Sequence, residues 1–130
     1  MATILLVEDD KIAINYCKLL VGKKHQIVEV TNTDDALQIL AQSNPDLVIT
    51  DLMLPNSKGI FPSRSNSTDF IGTLRSINST VKILVYSALC QETKIQNRAI
   101  ALGANTCLVK TCSIKVFRKT VSSLLGLGTV

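Results

Sequence analysis

"ILLVEDD", residues 4–10, decides how this chain of 130 residues is read. Four apolar residues run straight into three consecutive acids, Glu8, Asp9 and Asp10. A short apolar run bounded by polar residues reads as a buried strand. Three like charges at its end repel one another unless something positive is shared among them. Working outward, "TILLV" (3–7) is followed by "QIVEV" (26–30), "DLVIT" (46–50), "KILVY" (82–86) and "TCLV" (106–109), all with the same strand signature. Between them apolar residues recur at helical spacing: Ile12, Tyr16 and Leu19; Ala36, Leu37 and Leu40; Phe70, Leu74 and Ile77; Ile95, Ala99 and Leu102. Ile114, Phe117, Val121 and Leu124 mark a last helix. Strands apolar on both faces and alternating with helices predict an α/β fold, a parallel sheet covered on each side.

Local signals support these elements. Gly22 and Gly103 stand where helix C-caps are expected. Asn32 or Thr33 is placed to cap the second helix, and Pro45 separates that helix from the third strand. One connection is irregular: "NSKGIFPSRSNSTD" (56–69) is a polar, proline-containing loop, longer than strand-to-helix links usually are.

Composition narrows the classes. Hydrophobic residues make up 46% and charged residues 18%, a globular composition sufficient for one compact domain spanning 1–130. No apolar run approaches the roughly 20 residues that cross a bilayer, and the N-terminus turns acidic where a signal peptide needs basic charge. No membrane association is expected, and a cytoplasmic location is. The formal charge of +4 is too modest to argue for direct nucleic-acid binding, and no recognition motif accompanies it. Cys17, Cys90, Cys107 and Cys112 form no C-x-x-C pair, so buried free thiols are expected.

In an open parallel sheet, ligands bind beyond the carboxyl ends of the strands. Glu8, Asp9 and Asp10 follow the first strand, Asp51 ends the third, Ser87 the fourth and Lys110 the fifth. Asp10 reads as a helix cap. The others suit phosphoryl transfer. Asp51 offers a carboxylate nucleophile. Asp9 and Asp51, with Glu8, supply hard oxygen ligands for Mg²⁺. Lys110 and Ser87 provide a positive charge and a donor for phosphoryl oxygens.

With these residues in place, the chain resembles the receiver domain of two-component response regulators. The resemblance runs from "ILLVEDD" through "LVITDLMLP" and "ILVYSA" to "CLVK". It implies a flavodoxin-like doubly wound sandwich with strand order 2-1-3-4-5. It also implies that Asp51 accepts a phosphoryl group from a sensor histidine kinase or phosphotransfer protein and that an unknown downstream protein is then modulated. Glu8 and Asp9 match the family's acidic pair, the Met53 main-chain carbonyl a further ligand for Mg²⁺, and Ser87 and Lys110 the switch hydroxyl and phosphate-binding lysine. The family's fourth-helix, fifth-strand and fifth-helix face serves dimers and effectors, and Lys115, Arg118 and Lys119 fall on the last helix as a candidate basic output patch. Such a protein catalyses only its own phosphorylation and dephosphorylation.

Four departures from the family stand out. Cys107 replaces the aromatic residue often found three positions before the lysine, and Thr111 replaces the proline after it. Lys58 stands where an acid is common, and roughly eight residues between Gly59 and Phe70 look inserted. Two competing readings are a pseudo-receiver that is never phosphorylated and an Asp-nucleophile phosphatase of the haloacid-dehalogenase type. The second needs an acid two residues after the nucleophile, where this chain has Met53.

Overall fold

The computed structural model describes residues 1–127. Strands β1 (Thr3–Val7), β2 (Gln26–Val30), β3 (Leu47–Thr50), β4 (Lys82–Tyr86) and β5 (Thr106–Leu108) alternate with helices α1 (Lys11–Val21), α2 (Thr33–Gln42), α3 (Asp69–Ile77), α4 (Thr93–Ala101) and α5 (Ile114–Leu124). The strands form one parallel sheet in the order β2-β1-β3-β4-β5. The structural expectation from the sequence is met, with β3 and β5 each one residue shorter than predicted.

Alternation along the strands divides the core. Leu5, Val7, Val48, Ile83 and Val85 face α2, α3 and α4 through Leu40, Ile71, Leu74 and Ala99. Their neighbours Ile4, Leu6, Leu47, Ile49, Leu84 and Tyr86 face α1 and α5 through Ile14, Cys17, Leu20, Phe117 and Val121. Fully burying a side chain of this size contributes about 1.5–3 kcal/mol, so both helical layers are held by area rather than by single bonds.

The first helix turns a different face inward from the one its spacing suggested. Ile14, Cys17 and Leu20 are buried, whereas Ile12 is 79%, Tyr16 44% and Leu19 73% exposed. Two apolar stripes share this helix, and only one of them meets the sheet.

Side-chain caps close three of the five α-helix starts. The Asp10 side chain accepts from the Ala13 N–H, Asn32 from Asp35 and Ser113 from Val116, each closing an otherwise unsatisfied first turn. The segment 56–69 is more ordered than a polar loop. Asn56 Oδ1 accepts from the Lys58 and Ile60 N–H groups, and Asp34 Oδ2 accepts from both the N–H and hydroxyl of Ser57, which lowers the Asp34 pKa. A short 3-10 turn follows at Arg64–Asn66, and Ser67 and Thr68 are buried.

Arg75 clasps the amino ends of β4 and β5. Its guanidinium donates to the carbonyls of Val81 (2.6 Å), Asn78 (3.1 Å) and Gly103 (2.7 Å) and to Asn105 Oδ1 (3.2 Å). Desolvation lowers its pKa, yet an arginine stays charged. Gly103, at φ +122°, lies over it: a Cβ there would come 2.8 Å from Arg75 Cγ. Arg75→Met keeps the stem and removes the donors. It should lower unfolding free energy by about 2–3 kcal/mol, with an unchanged denaturant slope, because charged hydrogen bonds to several carbonyls are lost together. A loss below about 0.5 kcal/mol, the scale of an ordinary surface substitution, would contradict this role.

Candidate functional site at the carboxyl end of the sheet

The chain reverses direction across the sheet at β1, whose neighbours β2 and β3 lie on opposite sides. Such a switch point opens a crevice at the strand ends. Val7 pairs with Thr50, so Glu8 and Asp51 follow side by side; their N–H groups donate to Val30 and Val7 carbonyls, each at 3.1 Å. β5 pairs with β4 through Leu108 and Tyr86, which carries Lys110 to the same edge.

Lys110 joins the two carboxylates. Its Nζ lies 2.9 Å from Asp51 Oδ2 and donates a second bond to Glu8 Oε1. The remaining Glu8 oxygen accepts from the Asp9 and Asp10 N–H groups at 3.0 and 3.3 Å, and Asp51 Oδ1 accepts from the Leu52 N–H at 2.7 Å. The something positive shared among the acids is, in this structure, an ammonium.

Burial sets the electrostatics. Glu8 is 5% exposed, and its carboxyl is pushed upward by desolvation against the opposing pull of Lys110, with the Asp51 charge raising it further. Burial alone would depress Lys110, but hydrogen bonds to Asp51 and Glu8 outweigh it and the pKa is raised. The ammonium is held charged.

The other expected residues fall around this pair. Asp9 is exposed at the mouth, and among the described residues no donor reaches its carboxylate. Asp10 caps α1, as read from the sequence. No backbone N–H among the described residues donates to the Met53 carbonyl. Ser87 is 1% exposed and caps the 3-10 turn Ala88–Gln91, its Oγ accepting from the Leu89 N–H at 3.2 Å; it makes no bond to Asp51 here. The Lys110–Thr111 peptide is trans, and Cys112 N–H closes the turn onto the Val109 carbonyl at 2.9 Å.

Two site-proximal features lay outside the sequence reading. Tyr86 donates its hydroxyl to the Lys110 carbonyl at 3.2 Å and packs on Phe117 with ring centroids 4.9 Å apart, tying β4 to the lysine. Burial pushes its phenol up to about 12. A buried tyrosine needs a hydroxyl partner, which was the available signal. The second is a correction: the four thiols are not all free, because Cys90 and Cys107 form a disulfide while Cys17 and Cys112 remain free. Lys115, Arg118 and Lys119 are all exposed on α5. Arg118 also donates to the Leu20 carbonyl at 3.0 Å, near the end of α1.

The donor chemistry fits a hard cation: three carboxylates and one uncommitted carbonyl. Among the described residues, however, no three acidic, His or Cys side chains already form a cage. Lys110 bridges the two inner carboxylates, so a cation must share them with an ammonium that repels it.

A parallel five-stranded sandwich with paired acids and a lysine at its switch point defines a receiver. The response regulator receiver domain model matches residues 4–122, and the chain belongs to that family. Protein PilH of Pseudomonas aeruginosa is 25% identical over 128 residues, covering 97% of this chain and 99% of PilH. Sporulation initiation phosphotransferase F of Bacillus subtilis is 26% identical over 125 residues, covering 95% of this chain and 94% of that protein. A CheY-like response regulator receiver domain protein from Methanospirillum hungatei superposes with a TM-score of 0.82 at 13% identity, covering 98% of this chain and 95% of that one, and so shares the fold. Receiver domains of this family are generally Mg²⁺-dependent.

Mg²⁺ titration checks the competition. Asp9→Asn removes one ligand charge and should weaken binding about tenfold, a cost near 1.4 kcal/mol. Lys110→Met should tighten binding by a similar factor, since a repelling charge is removed. Weaker binding in Lys110→Met would show that the lysine does not oppose the cation.

Proposed function

We propose that the chain is a phosphorylation-switched signalling receiver whose phosphoacceptor is Asp51. One observation carries this reading: a single ammonium, Lys110, is hydrogen-bonded to Asp51 and to the buried Glu8 at the sheet's switch point. An Asp51 oxygen attacks the phosphorus of a phosphohistidine on a sensor histidine kinase or phosphotransfer protein. The P–N bond breaks, and its electron pair leaves on the imidazole nitrogen, which keeps or takes up a proton. Lys110 remains beside Asp51 and can turn from the carboxylate to a phosphoryl oxygen. Glu8, Asp9, Asp51 and the Met53 carbonyl would hold Mg²⁺, which supplies charge neutralisation for the phosphoryl oxygens when bound. Ser87 is the switch hydroxyl, released from its capping bond when it turns to the phosphoryl group. On this reading the chain catalyses only its own phosphorylation and dephosphorylation, and its output goes to a downstream protein.

Support for a protein donor comes from α1, which begins three residues after Glu8. Its stripe of Ile12, Tyr16 and Leu19 runs away from the acids and is exposed. Apolar surface of this kind beside a reaction centre suits a docked helix. The α4–β5–α5 face remains the candidate surface for a homodimer or effector, with Lys115, Arg118 and Lys119 available to steer an acidic partner.

Intact mass after incubation with acetyl phosphate and Mg²⁺ tests the central reading. The chain should gain one phosphoryl group, and Asp51→Asn or added EDTA should abolish the gain. Full labelling of Asp51→Asn would contradict the assignment, and no labelling of the parent chain would favour a pseudo-receiver. Leu19→Asp should leave labelling by acetyl phosphate unchanged while slowing transfer from a phosphohistidine protein at least about tenfold, the equivalent of 1.4 kcal/mol. Equal slowing with both donors would place the effect at Asp51 instead of at a docking face.

A further inference from the structure

The disulfide lies beside Ser87, the hydroxyl that the proposed function turns toward a phosphorylated Asp51. Cys90 sits in the 3-10 turn Ala88–Gln91, immediately after Ser87, and donates its N–H to the Ser87 carbonyl at 3.1 Å. Its own carbonyl accepts from the Gln96 side chain of α4. Cys107 is the central residue of β5, paired in register with Val85 and three positions before Lys110. The covalent loop spans 17 residues of separation and encloses all of α4. One bond thus fastens the segment carrying the switch hydroxyl to the strand leading to the phosphate-binding lysine.

We propose that Cys90–Cys107 is a reversible cysteine-modification site that acts as a redox clamp on the switch segment 87–92. Closed, it holds the segment against β5 and blunts the outward effect of phosphorylation. Opened to two thiols, it lets Ser87 and the following turn shift. The proposal rests on Asp51 being the phosphoacceptor.

Three observations carry it. A bridged pair keeps its Cα atoms within about 4.4–6.8 Å. Here they are 6.1 Å apart, so the oxidised segment has little freedom to leave β5. The contact between β5 and the segment is also covalent, through Cys107, three positions before Lys110. Access is one-sided, since Cys90 is 0% exposed while Cys107 is half-buried at an edge strand. Cys17 and Cys112 pack on the opposite face of the sheet and do not compete for the bridge.

The chemistry is thiol–disulfide exchange with a dithiol reductant of the thioredoxin or dithiothreitol class. One reductant thiolate attacks the Cys107 sulfur, the S–S bond breaks, and Cys90 leaves as a thiolate that takes up a proton. The second reductant thiol resolves the mixed disulfide. Two electrons and two protons pass to the cysteine pair, and the reductant becomes a disulfide. A small-molecule disulfide runs the exchange in reverse, and hydrogen peroxide closes the bridge by taking two electrons and two protons from the thiols and leaving as two waters.

Coupling between two sites is reciprocal, so a clamp that resists the switch must be loosened by it. Amide NMR of the full chain, oxidised and dithiothreitol-reduced, should be recorded with and without Mg²⁺ and beryllofluoride, a stand-in for the phosphoryl group. Residues around Asp51 should respond in both redox forms. Residues 87–92 should shift fully in the reduced form, and the fraction switched should fall at least about fivefold in the oxidised form. Cys90→Ala combined with Cys107→Ala should follow the reduced form. Reductant titrations should show the bridge opening more readily by the same factor when beryllofluoride is bound. Equal responses at 87–92 in both redox forms overturn the clamp while leaving the receiver reading intact. Four alkylatable thiols persisting after peroxide or oxidised glutathione also overturn it. Silence at Asp51 in both forms sinks the receiver reading, and the clamp with it.

Discussion

The sheet's carboxyl edge depends on one ammonium. Lys110 follows β5, Asp51 follows β3 and Glu8 follows β1, so a single side chain ties together the ends of strands distant in sequence. Two carboxylates facing each other in a half-buried crevice repel by several kcal/mol at an effective dielectric near 20, of the order of about 4 kcal/mol at 4 Å. The lysine cancels that repulsion, and its own burial is tolerated because both partners accept its protons. Removing one member leaves the others costly, which is why the arrangement behaves as a unit.

The rest of the fold serves to deliver and restrain that unit. The central strands are buried on both faces, so Glu8 and Asp51 stand on backbone that cannot slip register without exposing a whole core face. Tyr86 fixes the carbonyl of Lys110 from β4, and Ser87 follows Tyr86 in sequence. Beyond Ser87 the chain is restrained from several directions. Cys90 is bonded to β5, Gln96 holds the Cys90 carbonyl, and Arg98 of α4 donates to Thr68 Oγ1 at 3.0 Å while its charge lies 3.5 Å from Asp69. Arg64, in the 56–69 segment, pairs with Glu92 at the start of α4. The 56–69 segment thus meets α4 through Arg64, Thr68 and Asp69. Each such surface pair contributes at most about 1 kcal/mol, so the disulfide dominates the restraint.

Strand positions were legible because apolar β-branched runs carry their own boundaries, and the site was legible because its residues sit at strand ends where topology gathers them. What escaped reading depended on contacts between distant segments. α1 carries apolar residues at two helical phases, and nothing in its sequence tells Ile14, Cys17 and Leu20 from Ile12, Tyr16 and Leu19; only the sheet chooses. The pairing of Cys90 with Cys107 follows from the neighbouring of β4 and β5, not from any spacing motif. Arg118 is exposed with Lys115 and Lys119, but its bond to the Leu20 carbonyl joins segments too distant in sequence to be read. The order in 56–69 comes from Asp34 and buried Ser67 and Thr68, which polar composition alone does not reveal.

A double-mutant cycle tests the ammonium most directly. Urea unfolding in EDTA would be measured for the parent chain, Lys110→Met, Asp51→Asn and the double variant. Lys110→Met should destabilise by about 2–3 kcal/mol, the lower range for leaving buried charge unpaired. Asp51→Asn added to it should restore part of the loss, with a coupling energy of at least about 1 kcal/mol. Additivity of the two substitutions within about 0.5 kcal/mol would contradict the account, because the lysine and the carboxylate would then be independent neighbours.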